Sequence, residues 1–156
     1  MTDWKNRSAG YLTNQLARLF ERGLSARIRP LGLTTGAFPA LVELWEREGL
    51  TQKELVERLD IEQATMANTL ARMQRDGLIA RQRSKADGRV QEIRLTDLGN
   101  SLRAPAIAAA ETVNDTALSG LSSDERDQFL TLVSKIIQTF DEGEGASPGD
   151  DSTQQT

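Results

Sequence analysis

Between Glu62 and Asp76, the side chains of Gln63, Ala64, Thr65, Asn68, Thr69 and Arg72 share the outer side of a helical winding. Amides pair bidentately with adenine, hydroxyls bond bases or phosphate, a guanidinium takes guanine or phosphate, and the Ala64 methyl suits a thymine methyl. This is chemistry for reading the edges of base pairs rather than for breaking bonds. A second set follows closely: Arg81, Arg83, Lys85, Arg89 and Arg94 stand against Asp87 and Glu92. Arg83, Lys85 and Arg89 suit phosphate contacts or the negative potential of a narrow minor groove. A third set, Thr51, Gln52 and Lys53, opens a helix, where backbone N–H groups and the helix dipole favour phosphate.

Bond-making chemistry has little to work with. The 156 residues contain no histidine and no cysteine, which removes thiolate nucleophiles, thiol redox sensing, disulfides and the commonest metal ligands. Neither a glycine-rich phosphate loop after a strand nor a nucleophile elbow is present, and the carboxylates read as solvated helix faces. No enzyme, cofactor or metal is expected. The competing reading is an interaction module that uses the same surfaces on protein.

Helices and a ribbon must position these groups. Leu12, Leu16, Leu19, Phe20 and Leu24 recur at helical spacing from Tyr11 to about Arg29, before Pro30 and Gly32. Thr34 or Thr35 is placed to cap a second helix with Phe38, Leu41, Val42, Leu44 and Trp45 inside, ending near Gly49, with Pro39 in its first turn. Thr51 and Glu54 have capping-box spacing for a third helix that buries Leu55 and Leu59, and Ile61 reads as a buried turn residue. The fourth, Glu62–Asp76, turns Met66, Leu70 and Met73 inward and stops at Gly77. Two short helices joined by a tight turn make a helix-turn-helix. Alternation over Leu78–Arg83 and Val90–Leu95 predicts a β-ribbon, with Asp87-Gly88 supplying the positive backbone angles of a tight hairpin. Thr96 caps a long helix from Asp97 to Ser119 that Pro105 should kink. Ser122 and Glu125 open a last one, with Phe129, Leu132, Val133, Ile136, Ile137 and Phe140 as its apolar stripe.

Within Leu50–Gly99, the segments Leu50-Thr51-Gln52-Lys53-Glu54-Leu55, Asp76-Gly77-Leu78-Ile79, Asp87-Gly88-Arg89 and Leu95-Thr96-Asp97-Leu98-Gly99 occur in an order and spacing that resembles the MarR family of bacterial regulators. The likeness covers roughly residues 10–140. It departs at Asp60, where the family usually has glycine, and at Gly88, where it usually has arginine. The resemblance implies a mainly α fold with a small β-wing, a winged helix-turn-helix. Residues 34–96 would form the DNA-binding lobe, with 1–33 and 97–140 as a helical dimerisation region. It further implies that Asp87 orients Arg89, and that a small aromatic or organic-acid effector binds near Leu16, Arg18, Phe20, Phe38 and Trp45.

The partners expected are therefore double-stranded DNA and a second copy of the chain. A homodimer would bind a pseudo-palindromic operator as a repressor. The net charge of −4 does not oppose this, because it is unevenly spread: residues 51–96 carry 9 basic and 7 acidic groups, residues 97–156 carry 3 and 11. The Gly-, Ser- and acid-rich stretch 141–156 reads as a disordered acidic tail. No apolar stretch approaches the roughly 20 residues of a membrane span, and Met1–Ser8 has no apolar signal core, so a cytoplasmic protein is expected.

Overall fold

The computed structural model describes residues 3–144, which form seven α-helices, a 3₁₀ turn and two strands. Helix α1 (Ala9–Ile28) starts where the Ser8 hydroxyl accepts from the Tyr11 N–H, and the 3₁₀ turn Arg29–Leu31 follows it. Helix α2 is Phe38–Glu46. The Thr34 hydroxyl accepts from Ala37 N at 3.2 Å, so it caps a turn ahead of the helix rather than the helix itself. Pro39 sits in the first turn of α2, where a missing N–H costs little, and the chain leaves the helix before Gly49.

Helix α3 (Gln52–Leu59) realises the capping box: Glu54 N donates to Thr51 Oγ1 at 3.1 Å and Thr51 N to Glu54 Oε2 at 3.0 Å. Leu55 is fully buried, whereas Leu59 and Ile61 are only half-buried against the core. Helix α4 (Gln63–Arg75) buries Met66, Leu70 and Met73, as their spacing requires. At its end Leu78 N bonds Met73 O and Gly77 N bonds Gln74 O, with Gly77 at φ 75°. That paired closure needs a left-handed residue. The end of α3 also turns through a left-handed residue, Asp60 at φ 49°, with the N–H groups of Asp60 and Ile61 both donating to Val56 O; Asp60 is the one non-glycine residue of positive φ among those described.

Strands β1 (Ile79–Arg83) and β2 (Gln91–Leu95) pair antiparallel, with Ile79 opposite Leu95 and Arg83 opposite Gln91. Leu50 adds a bridge to Ile93. The loop expected between the strands is present over 84–90, but the positive backbone angle expected at Asp87-Gly88 is corrected. Gly88 is not among the positive-φ glycines, which are Gly32, Gly49 and Gly77. Side chains close the loop instead. Ser84 Oγ accepts from Ala86 N and Asp87 N, and Val90 N donates to Asp87 O.

The single long helix expected over 97–119 is two: α5 (Asp97–Ser101) and α6 (Arg103–Ala117), parted at Leu102. Pro105 has no N–H for the carbonyl of Ser101, and its ring crowds that carbonyl, so the ladder breaks upstream of the proline instead of bending at it. Helix α7 (Ser123–Glu144) opens with the Ser122–Glu125 box and continues four residues into the expected tail. The remainder of that tail, 145–156, lies outside the described residues.

By compactness the chain parts between Asp115 and Thr116. The first unit contains the core, drawn from Ile28, α2, Leu55, the inner face of α4, Ile79, Ile93, Leu95 and Ala106. Gly99 is buried where a Cβ would collide with the carbonyl of Leu78. Trp45 Nε1 donates to Gly99 O at 2.9 Å, and Thr96 Oγ1 donates to Gly77 O. The segment 95–99 thereby fastens the exit of the ribbon to the end of α4 and to α2. The second unit holds α7, on which Leu130, Leu132, Val133, Ile136, Ile137 and Phe140 are all exposed. No described helix is long and apolar enough to cross a membrane.

Candidate nucleic-acid interface

Helix α4 is anchored by three buried apolar side chains, which leaves its opposite face to solvent. Gln63, Ala64, Thr65, Asn68 and Arg72 are exposed there and Thr69 is half-buried. Among the described residues the polar groups of these side chains have no hydrogen-bond or ion-pair partner. A row of unpaired amide, hydroxyl and guanidinium groups on a rigid helix is suited to meet base edges in a groove wide enough for a helix.

The ribbon sorts its cations into two sets. Arg83, Lys85 and Arg89 are exposed, and the first two have no partner among the described residues. Arg89 is drawn back across its own turn: its backbone N–H and Nε both donate to Asp87 Oδ1, at 3.1 and 3.2 Å, although its side chain remains 92% exposed. The Arg89 backbone N–H, then its guanidinium, hold the Asp87 carboxyl below its usual range.

Arg81 and Arg94 face inward and are spent on internal contacts. Arg81 Nη1 and Nη2 each lie 3.4 Å from Gln52 Oε1, so half-buried Gln52 ties the start of α3 to β1 with the oxygen that would otherwise face a ligand. Arg94 Nη2 donates to Glu92 Oε2 at 2.7 Å and Nη1 lies 3.6 Å from Glu48 Oε2, while its Nε is buried without a partner. The Arg94 guanidinium lowers the Glu92 pKa. Gly49, at φ 77°, makes room for this clamp, since a Cβ there would lie 3.1 Å from Arg94 Nη2. Sequence reasoning missed both arrangements. The Arg81–Gln52 contact spans 29 residues and has no local signature. At the start of α3, Thr51 is occupied as the cap while Lys53 is exposed and unpaired among the described residues.

The residues expected around an effector do not gather in one place. Phe20 and Phe38 line a cavity of about 490 Å³ bounded by α1, the turn before α2, α2 and α6. Leu16 and Trp45 do not line it: Leu16 is an exposed residue of α1, and Trp45 is a core residue, 7% exposed, whose indole is pinned to Gly99. Arg18 lines a separate depression on α1. Among the described residues, no cluster of His, Cys, Asp or Glu is arranged to hold a metal ion.

A helix-turn-helix followed by an anchored ribbon is the fold of a known group. The description "MarR family" matches residues 31–90, and the transcriptional regulator HosA of Escherichia coli is 32% identical over 127 residues, covering 81% of this chain and 94% of that protein. The chain belongs to the MarR family. Among solved structures with this fold, the transcriptional repressor CouR bound to a 23-mer DNA duplex superposes with a TM-score of 0.80 at 25% identity, over 88% of this chain and 97% of that one. The Mycobacterium tuberculosis MarR family protein Rv2887, in complex with salicylic acid, gives 0.67 at 27% identity, over 83% and 96%. MarR proteins are DNA-binding transcriptional regulators, so this chain is a regulator and not an enzyme.

Proposed function

We propose that the protein is a sequence-specific repressor that binds a pseudo-palindromic operator as a homodimer. The observation that carries this reading is the face of α4, polar, exposed and unpaired, beside the free cations of the ribbon. Gln63, Ala64, Thr65, Asn68, Thr69 and Arg72 read bases. Thr51, Gln52 and Lys53 meet phosphate at the start of α3, Gln52 through the amide nitrogen that Arg81 leaves free. Arg83, Lys85 and Arg89 hold the adjacent backbone or minor groove, with Asp87 setting the Arg89 direction. The duplex bound by CouR supports this use of the fold.

Two copies are needed because one recognition helix reads too few base pairs for specificity against a genome. The exposed apolar side chains of α7 are a surface that a twofold partner would cover, and Tyr11, Leu12, Leu16 and Leu19 of α1 offer another. A small organic effector acts at the cavity between Phe20 and Phe38, which is of ordinary ligand-site size. The salicylic acid complex of Rv2887 supports a small-molecule ligand in this family.

The test is selection of bound fragments from genomic DNA of the source organism, then affinity on the recovered site against salt. Specific binding with a log–log slope near −0.9 per neutralised phosphate is expected on a site with twofold character. Recovery of random fragments, or a salt-insensitive protein partner instead, overturns the reading in favour of an interaction module.

A further inference from the structure

The effector cavity has a definite electrostatic character. Its walls are apolar and aromatic, with Phe20 and Phe38 flanking it and Val113 of α6 behind. Its polar side chains are Glu21, Thr35 and Asn114, and no arginine or lysine lines it. Thr35 Oγ1 donates to Glu21 Oε1 at 3.1 Å, which fixes the carboxylate at the cavity edge while leaving acceptor capacity on both oxygens. The nearest cations in sequence, Arg18 and Arg22, line a separate depression that shares Glu21 as its rim, and no ion pair joins either to Glu21 among the described residues.

An organic anion entering this space would lose water, gain no counter-charge and face a carboxylate. A cation also loses water, but it meets a counter-charge in Glu21. Its ammonium can donate to the Glu21 carboxylate and to the oxygen of an amide such as Asn114, and the aromatic lining of Phe20 and Phe38 tolerates positive charge better than negative. We infer that the cavity takes an aromatic amine, a protonated ammonium carried on one or two rings, and discriminates against the matching carboxylic acid. This ligand class rests on the reading of the cavity as an effector site, and it reverses the organic-acid expectation drawn from the family resemblance.

Isothermal calorimetry on the full-length protein tests it with two matched pairs: benzylamine against benzoate, and 2-naphthylmethylamine against 2-naphthoate. The amines are expected to bind at least about tenfold more tightly than their acids, the scale of one hydrogen bond to a charged group. Glu21→Gln keeps the Thr35 hydrogen bond and should erase that preference without removing binding of the ring. Ala110→Leu, which narrows the cavity, should weaken both members of each pair. Equal or tighter binding of the acids, or a preference that survives Glu21→Gln, overturns the amine inference while leaving the effector reading standing. If neither pair binds, or Ala110→Leu changes nothing, the effector site itself is wrong and the inference falls with it.

Discussion

Arg89 and Asn68 illustrate two kinds of contact that one surface must make. Arg89 is almost wholly exposed, and on the proposed reading it meets a phosphate or groove by charge, so Arg89→Ala should weaken binding to every duplex and lower the salt slope by about 1. Asn68 is an uncharged amide on α4, so Asn68→Ala should relax preference at one operator position, costing about 1–3 kcal/mol of discrimination there. Fluorescence anisotropy on a panel of single-base variants separates the two, and a uniform loss for Asn68→Ala would remove it from the base-reading set. Acid should matter little near neutrality. Among the described residues, Asp87, Glu92 and Glu125 are carboxyls held below their usual range, by Arg89, Arg94 and Ser122 in turn. A depressed carboxyl contributes stability that is complete above its unfolded pKa and fades as pH falls through the folded one. With no histidine to titrate, operator affinity and melting temperature should be flat from about pH 6 to pH 8 and decline only below about pH 4.

At the scale of elements, two positions carry strain or tight packing with opposite consequences. Asp60 holds a left-handed conformation at the end of α3, so Asp60→Gly should stabilise the fold by up to about 1 kcal/mol, read as a rise in melting temperature. Gly99 has the Leu78 carbonyl where a side chain would begin, so Gly99→Ala should cost about 1–3 kcal/mol and loosen the Trp45 hydrogen bond. Much of this architecture was legible in the sequence. Capping boxes at Thr51 and Ser122, the stop at Gly77 and the inward row Met66, Leu70, Met73 are local signals, and local signals survive into the fold. What escaped depends on distant atoms or on rival local chemistry. The Asp87-Gly88 pair resembles a tight hairpin until Ser84 and Asp87 bond the loop backbone themselves. Arg81 and Arg94 look like two more wing cations until the folded chain brings Gln52, Glu48 and Glu92 beside them. Of the surface proposed to meet DNA, the row on α4 followed from helical periodicity. The division of the ribbon's cations into free and spent could not.

For the molecule as a whole, the decisive quantity is apolar surface left uncovered. Leu130, Leu132, Ile136, Ile137 and Phe140 are each more than half exposed, on a helix that extends for 22 residues. The double substitution Ile136→Glu with Ile137→Glu should yield monomers at micromolar concentration by sedimentation velocity. Circular dichroism should show the helix content kept, and operator affinity should fall by more than about tenfold because each half-site is then bound alone. A variant that stays dimeric would place the twofold contact elsewhere.

The two tryptophans are unequal witnesses. Trp4 is 63% exposed, whereas Trp45 is enclosed, bonded through its indole nitrogen, and packed edge-on to Phe38 with ring centroids 6.2 Å apart. Since Phe38 also forms a wall of the cavity proposed to take a ligand, occupancy there should alter the emission of the inner indole while the outer one is silenced by iodide. The native chain thus carries its own optical gauge, needing neither dye nor label.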